Sequence, residues 1–157
     1  MVEVSVGTYF AFIDDCDYPR VALYTWVPHH DKYTIYAKAC IGVNQYVLLH
    51  RFVLELPKQF PIVDHKDKNG LNCQRSNLRI CSHSLNSASQ SMRSDNSSGY
   101  RGVSYHKANH KYVANIRVEG VRKYLGSFND PVSAALEYDK YAKQYFGDYA
   151  SLNFPEA

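Results

Sequence analysis

An aspartate and a histidine stand together at Asp64 and His65, and an asparagine follows the histidine by twenty-one residues at Asn86. Carboxylate and carboxamide oxygens are hard ligands of the kind that Mg²⁺ takes in proteins. If Asp64 and Asn86 converge, they can hold one ion and leave room for waters and phosphate oxygens. Neutral His65 can then take a proton from an attacking water. The residue types therefore predict metal-assisted hydrolysis of a phosphate ester.

These side chains must be positioned by residues 61–93, whose pattern predicts a strand, a long polar loop, a second strand and a helix. Ser82 or Ser84 lies near the predicted N-cap of the helix. If the segment folds back as a hairpin followed by the helix, the strand presents Asp64 and the helix presents Asn86. The first strand ends at the acid and its histidine neighbour. Both can therefore flank one site, although neighbours in a strand point to opposite faces.

The segments on either side supply the rest of the fold. From about Thr8 to Leu56 the chain is rich in Tyr and Val, and we predict short strands at VALYTWV, YTIYAKA and QYVLLHRFVLEL, the last turning helical. The polar run Ser94–Gly99 is a candidate linker. We therefore predict two domains, residues 1–94 and 95–157.

Beyond the linker, three short strands and one helix are predicted. The strands are YRGVSYH, KYVANIRVEG and RKYLGSF. The helix runs from about Asn129 to Gly147, with Asp130 at its N-cap and Pro131 in its first turn. Its core-facing side should carry apolar residues at helical spacing, namely Ala135, Tyr138, Ala142 and Tyr145.

Charge is unevenly distributed in this C-terminal part. Between Gly99 and Gly126 there are six basic residues and one acid, whereas residues 127–157 hold two bases and five acids. Alternation along the strands puts basic and polar side chains on one sheet face and apolar ones on the other, where the helix can cover them. The polar face suits DNA phosphates and base edges. By this alternation Lys111, Asn115 and Arg117 share one face, Arg122 shares a face with Tyr124, and Arg101 could join from the first strand.

The segment from about Val47 to Met92 resembles the HNH endonuclease family, in the branch that contains homing endonucleases and phage proteins. The matching residues are Leu49–Arg51, Val63–His65, Asn69, Gly70, Ser76–Arg79 and Asn86. The resemblance implies a ββα-metal core with Asp64 and Asn86 as metal ligands and His65 as general base. It implies that Asn77 acts in catalysis by orienting the loop or the His65 ring. It also implies one divalent ion as cofactor, Mg²⁺ with Mn²⁺ able to replace it.

Several alternatives stay open on the sequence alone. His83 is a rival metal ligand one turn before Asn86, and Asn77 fits a loop cap as well as an active-site role. His50 either supports the core or acts directly. An inert nuclease core would leave a DNA-binding regulator without catalysis. A structural zinc protein is disfavoured, because no two of the four cysteines have CxxC spacing.

Residues from about Ser98 to Pro155 resemble the Apetala-two or ethylene-response-factor type of DNA-binding domain. The matching runs are YRGV, KYVANI, YLGSF, AALEYDKYA and LNFP. The resemblance implies that one face of a three-stranded sheet enters the major groove of DNA. It also implies that this face contacts DNA through Arg101, Lys111, Arg117, Arg122 and Tyr124. Tyr112 and Tyr124 stand where such domains often have Trp, so the preferred DNA sequence should differ. We expect this part to supply DNA affinity and the part before the linker to supply the cleavage chemistry.

Size and composition agree with this assignment. The chain has 157 residues, 14% of them aromatic, which is enough apolar material for one ordinary domain or two small ones. No signal peptide or membrane span is predicted, and the cysteine spacings indicate reduced thiols in a cytoplasmic protein. We predict an α+β fold: a ββα-metal core preceded by short strands, then a three-stranded antiparallel sheet packed on one helix. The expected partner is double-stranded DNA, with no membrane and no obligate protein partner.

Overall fold

The computed structural model describes residues 1–57, 61–90, 92 and 96–155. The chain forms two compact units, Met1–Cys81 and Ser82–Ala157. Each combines helices with mainly antiparallel strand pairs, so the predicted α+β class is confirmed. The predicted division between Ser94 and Asp95 lies outside the described residues and stays a prediction. Within the described ranges, no helix combines the length and apolar character needed to cross a membrane.

The first unit is built on a five-stranded sheet. Its strands are β1 (Val2–Val6), β2 (Tyr9–Ile13), β3 (Trp26–His30), β4 (Ile35–Gly42) and β5 (Gln45–Leu48), in the order β2-β1-β3-β4-β5. β1 runs parallel to β3, and the other neighbouring strands pair antiparallel. Ala37 and Ala39 on β4 are buried in the core, so the alternation of a strand turns Tyr36 and Lys38 to the opposite face.

Two short helices complete this sheet. Helix α1 (Tyr18–Val21) precedes β3, and helix α2 (Leu49–Val53) follows β5 directly. Leu49 and Val53 are fully buried against the core of the sheet. The segment QYVLLHRFVLEL was predicted to begin as a strand and turn helical, and the change occurs at Leu49. In the helix its apolar residues fall one turn apart, on the face that meets the core.

A two-stranded hairpin forms the rest of the first unit. Its strands are β6 (Ile62–His65) and β7 (Leu78–Cys81), which pair antiparallel with His65 opposite Leu78. The connecting loop is tied to β2, because Phe12 N donates to Leu71 O at 2.8 Å and Cys73 N donates to Phe12 O at 2.7 Å. Leu71 and Cys73 are buried in the sheet core. The hairpin is thus fixed to the sheet through the middle of its own loop.

The second unit begins with helix α3 (His83–Ser89) and continues with a three-stranded sheet. The strands are β8 (Val103–His106), β9 (Lys111–Val118) and β10 (Val121–Phe128), in the order β10-β9-β8 and all antiparallel. Ser82 caps α3, because its side chain accepts from Leu85 N at 3.3 Å. The predicted order of strand, loop, strand and helix is therefore confirmed from β6 to α3, with Ser82 rather than Ser84 as the cap.

Helix α4 (Pro131–Phe146) covers one face of this sheet, as predicted. The Asp130 side chain accepts from Ser133 N at 2.8 Å, and the C-cap Gly147 has φ of +52°. Ala135, Tyr138 and Ala142 are buried as expected. Tyr145 was wrongly assigned to the core, since it is exposed and Phe146 is buried in its place. From Ala142 the buried face continues four residues on, at Phe146, and not three residues on, at Tyr145.

The strand predicted at VALYTWV is also wrong in its first half. Residues Tyr18–Val21 are helical, and β3 starts only at Trp26. Arg20 on this helix forms salt bridges with Asp17 and Glu55, both at 2.6 Å. These contacts hold the helix that ends at Val21, the first residue of the predicted strand, and residues 22–25 belong to no strand.

Two further strand boundaries differ from expectation. β1 was not predicted, although Val4 and Val6 alternate into the core. In the second unit the first strand begins at Val103 rather than Tyr100. Gly102 has φ of +73°, a left-handed conformation that interrupts an extended chain. A Cβ at this glycine would lie 2.0 Å from the Tyr138 ring, so the turn also requires glycine for space.

Candidate functional site

Three aromatic side chains surround the end of β6. The His65 ring centroid lies 5.1 Å from that of His50 on α2, with the planes at 89°, and 5.9 Å from that of Tyr36 on β4. Tyr36 and His50 are 5.3 Å apart. We call these three residues the histidine pocket. The two histidines are each about 6% exposed, so both imidazoles are largely shielded from solvent.

Two ring nitrogens in the histidine pocket have no hydrogen-bond partner in the described part of the chain. They are His65 Nε2 and His50 Nδ1, and both are buried. Burial lowers the pKa of His65, against the opposing negative charges of Asp67 and Asp64. Burial, with the charges of His65 and Arg51 acting in the same direction, lowers the pKa of His50 to about 3. Both rings are therefore neutral at pH 7, and His65 with its proton on Nδ1 can accept another at Nε2.

Asp64 lies beside this pocket and is also buried. Its Oδ2 accepts from Arg79 Nε at 2.8 Å and from Arg79 Nη2 at 2.7 Å. Its Oδ1 faces Lys68 Nζ at the longer distance of 3.3 Å. Oδ1 is thus the less tightly held oxygen, and a buried carboxylate oxygen with one long ammonium contact fits a hard divalent cation. No cluster of three or more His, Cys, Asp or Glu arranged for a metal occurs among the described residues.

Asn77 organises the loop that connects β6 and β7. Its Nδ2 donates to Asp67 Oδ1 at 2.9 Å and to Asn72 O at 2.8 Å, and its Oδ1 accepts from Asp67 N at 3.1 Å. Lys66 N, next to His65, donates to Asn77 O at 3.0 Å. The structure thus places Asn77 where it shapes the loop that follows His65. Its described side-chain hydrogen bonds go to the loop and not to the imidazole.

Asn86 lies in the middle of α3, which belongs to the second unit. Its described hydrogen bonds are made by its backbone, from Asn86 N to Ser82 O at 2.9 Å and from Ser89 Oγ to Asn86 O at 3.0 Å. Its side chain is half-buried. His83 is the first residue of the same helix and is exposed. The first unit therefore brings together Asp64, His65 and the loop that Asn77 shapes, and the other predicted ligand stands on a helix of the second unit.

The strand register defines which side chains share the open face of the second unit. Arg117 pairs with Arg122, and Asn115 pairs with Tyr124, so these four lie on one face. Lys123 pairs with Ile116 on the other face, where its Nζ donates to the α4 hydroxyl of Tyr145 at 3.1 Å. We call the open face, carrying Lys111, Asn115, Arg117, Arg122 and Tyr124, the basic face.

Four of the five predicted DNA-contacting residues lie on the basic face. Arg117, Arg122 and Tyr124 are exposed, Tyr124 to 64%. Lys111 is half-buried and its Nζ donates to Asn129 Oδ1. Arg101 lies outside the strands, in the turn before β8, and its guanidinium donates to Gln90 O.

Sequence reasoning missed three residues around the site. Tyr36 packs against both histidines, and Arg79 and Lys68 bind the Asp64 carboxylate. Arg79 is the last residue of the run SNLR, and antiparallel pairing opposite Asp64 places it there. That register was a usable signal, since residues directly opposite in a hairpin interact. Tyr36 gave no such signal, because it comes from another sheet and stands 29 residues before His65.

The first unit thus carries a buried acid–histidine pair at the end of a hairpin, and the second carries a three-stranded sheet with a basic face. No protein-family model matches the chain. It is 31% identical over 149 residues to an uncharacterized HNH endonuclease of Acanthamoeba polyphaga mimivirus, covering 92% of this chain and 74% of the viral protein. The chain therefore belongs to the HNH endonuclease family.

Shorter similarities confirm the resemblance to plant DNA-binding domains. Dehydration-responsive element-binding protein 2C of Arabidopsis thaliana is 46% identical over 59 residues, which are 36% of this chain and 17% of the plant protein. An ethylene-responsive transcription factor of the same plant is 42% identical over 60 residues, which are 37% of this chain and 33% of that protein. Both plant proteins share with this chain only a part of their length.

Proposed function

We propose that this protein is a metal-dependent endonuclease that hydrolyses phosphodiester bonds in double-stranded DNA. The observation that carries the proposal is His65, which is buried, neutral and without a described partner at Nε2, beside the buried carboxylate of Asp64. A fold that leaves a polar atom buried without a partner loses about 1–3 kcal/mol of stability. A role as general base would account for a His65 Nε2 atom that is left without a partner.

His65 takes the proton of the attacking water at Nε2. The aromatic walls of Tyr36 and His50 restrict rotation of the ring, and the loop that Asn77 shapes holds the backbone that follows it. The low pKa of His65 keeps the ring unprotonated at neutral pH, so the base is ready without a prior proton loss.

Asp64 and Asn86 would hold the divalent ion, Mg²⁺ or Mn²⁺, through one carboxylate and one carboxamide oxygen. When bound, such an ion stabilises the charge that develops on the phosphate and the leaving oxygen. The Oδ1 atom of Asp64 is the oxygen available for this role, because Arg79 occupies Oδ2. Arg79 also limits the negative charge at the site, which favours approach of an anionic DNA strand.

The basic face would hold the enzyme on its target, in the manner of a sheet that enters the major groove. Its exposed Arg117 and Arg122 supply phosphate and base contacts, and Tyr124 supplies an aromatic surface. We propose on this basis a site-specific, homing-type enzyme that acts on DNA in the cytoplasm.

One observation favours a second candidate, a DNA-binding regulator with an inert nuclease core. The Asp64 carboxylate is already neutralised by Arg79 and Lys68, and an ion must compete with the Lys68 contact. A nicking assay on supercoiled plasmid separates the two candidates. The full-length chain should convert the plasmid to open-circle or linear form with Mg²⁺ or Mn²⁺ and not with a chelator. His65→Ala, purified in parallel, controls for contaminating nucleases. Plasmid binding without any metal-dependent nicking would establish the inert regulator.

A further inference from the structure

Helix α3 carries the proposed metal ligand Asn86, yet its apolar side is part of the core of the second unit. Ala88 is 7% exposed and Leu85 is partly buried. Both pack in one cluster with sheet and helix residues of that unit, namely Ile116, Tyr138, Ala142 and Phe146. The helix of the nuclease motif is thus built on the sheet and on α4 of the DNA-binding part.

Polar contacts fix α3 from three other parts of the second unit. Glu119 N, in the turn between β9 and β10, donates to Ser84 Oγ at 3.2 Å. Ser151 N, after α4, donates to Ala88 O at 3.2 Å. The Arg101 guanidinium donates to Gln90 O, at the C-cap of α3. These contacts hold both ends of the helix, so its position and rotation follow the sheet.

The helix needs this support because it is short. It has seven residues, and its described side-chain cap is the single Ser82 contact at 3.3 Å. Isolated helices below about 12–15 residues are marginal in water. Without the cluster around Ile116, the carboxamide of Asn86 would have no fixed position.

We propose that the core of the second unit fixes the position of helix α3, and with it the carboxamide of Asn86. This inference rests on the proposed function, which makes Asn86 a metal ligand. Leu85, Ser84 and Ala88 are then positioning residues for metal binding, although they contact neither DNA nor metal. The sheet of the second unit would then have a role besides DNA binding, which is to support the helix that carries a proposed ligand.

The test uses full-length variants. Leu85→Ala removes the largest α3 side chain from the cluster, and Leu85→Met restores most of its volume. Val103→Ala is the matched control, since it removes buried side-chain volume from strand β8 in a separate cluster that contains no α3 residue. Three quantities are measured for each: hydrogen exchange of residues 83–90, affinity for Mn²⁺ by titration, and the Mn²⁺ concentration that half-saturates plasmid cleavage.

We expect Leu85→Ala to exchange faster in residues 83–90 and to bind Mn²⁺ about tenfold or more weakly, as loss of ligand support typically does. DNA affinity should be unchanged, and Leu85→Met should match wild type. Val103→Ala should unfold at lower temperature with normal Mn²⁺ affinity. Equal Mn²⁺ affinity of Leu85→Ala and wild type, or an equal loss in Val103→Ala, would overturn the inference. If the wild-type chain does not cut DNA, the proposed function fails, and the Mn²⁺ titration alone decides the inference.

Discussion

The histidine pocket and the basic face differ in where their polar groups lie: the pocket buries them, and the face exposes them to solvent. The pocket buries two imidazoles whose nitrogens His65 Nε2 and His50 Nδ1 have no described partner. The basic face leaves the guanidinium groups of Arg117 and Arg122 in solvent, opposite each other on neighbouring strands. Burial without a partner costs stability, whereas an exposed charge costs almost nothing. Natural sequences depart from the stability optimum mainly at functional sites.

Under the proposed function, this difference separates the residues for cleavage from the residues for DNA recognition. A buried neutral base changes the rate at which bound DNA reacts, and an exposed cation changes how much DNA is bound. Substitutions in the pocket should therefore alter cleavage at constant affinity, and substitutions on the face should alter affinity and its salt dependence. A residue that alters both would weaken the distinction.

The largest effect is expected for His65→Ala. Loss of a general base typically lowers the rate about 10²–10⁴-fold, while DNA affinity should be unchanged because His65 is buried in the first unit. Single-turnover cleavage and a gel-shift titration measure the two quantities separately. Cleavage by His65→Ala at the wild-type rate would remove this residue from the mechanism.

The next largest effect is expected for substitution of Asn86, the proposed metal ligand on helix α3. Asn86→Ala should raise the Mg²⁺ concentration for half-maximal cleavage roughly tenfold or more, the equivalent of about 1.4 kcal/mol. His83→Ala, on the same helix, is the matched comparison, because an exposed first-turn residue should have little effect. If Asn86→Ala needs the wild-type Mg²⁺ concentration for half-maximal cleavage and His83→Ala needs a higher one, His83 is the ligand and Asn86 is not.

The basic face offers a control built into the same strand. Arg117→Ala or Arg122→Ala should cost about 1–3 kcal/mol of binding to the preferred DNA if the guanidinium reads a base. A side chain that binds only phosphate should instead reduce the salt dependence by about one charge. Lys123→Ala removes a neighbouring cation on the helix side and should leave both quantities unchanged. Comparable losses from Lys123→Ala would show that net charge, and not this face, governs binding.

A separate effect concerns the stability of the fold in acid, and not cleavage or DNA binding. His50 has a pKa of about 3 when folded against 6.5 when exposed, so the unfolded chain takes up the proton first as the pH falls. The stability present above pH 6.5 should decline by about 1.4 kcal/mol per pH unit down to about 3. Urea unfolding of wild type and His50→Phe at several pH values measures this term. If both proteins lose stability with the same slope, His50 contributes nothing to acid sensitivity.

Much of the fold could be predicted because its signals are local. Helix α4 follows from Asp130, Pro131 and Gly147, which begin and end it within one segment. The alternation in β9 gave the two faces of the second sheet, and the register confirms them. The short helix α1 could not be predicted, because Arg20 there is held by Asp17 and Glu55, and the last of these lies 35 residues away.

The candidate site shows the same limit of prediction from local sequence signals. Asp64, His65 and Asn77 lie in one hairpin, so spacing was enough to group them. Tyr36 and the packing of α3 on Ile116 depend on tertiary contacts between distant segments. Hydrophobic periodicity shows that a face is buried, but not which partner buries it.

The proposed mechanism depends on a buried, neutral His65 that acts as the general base in DNA cleavage. Its most direct test is the pH dependence of single-turnover cleavage by the wild-type chain in saturating Mg²⁺. Burial lowers the pKa of His65 below its ordinary value of 6.5. The rate should therefore hold as the pH falls to about 6.5 and decline only below it, with a step that His65→Ala lacks. A decline centred above 6.5, or the same step in His65→Ala, would contradict the account.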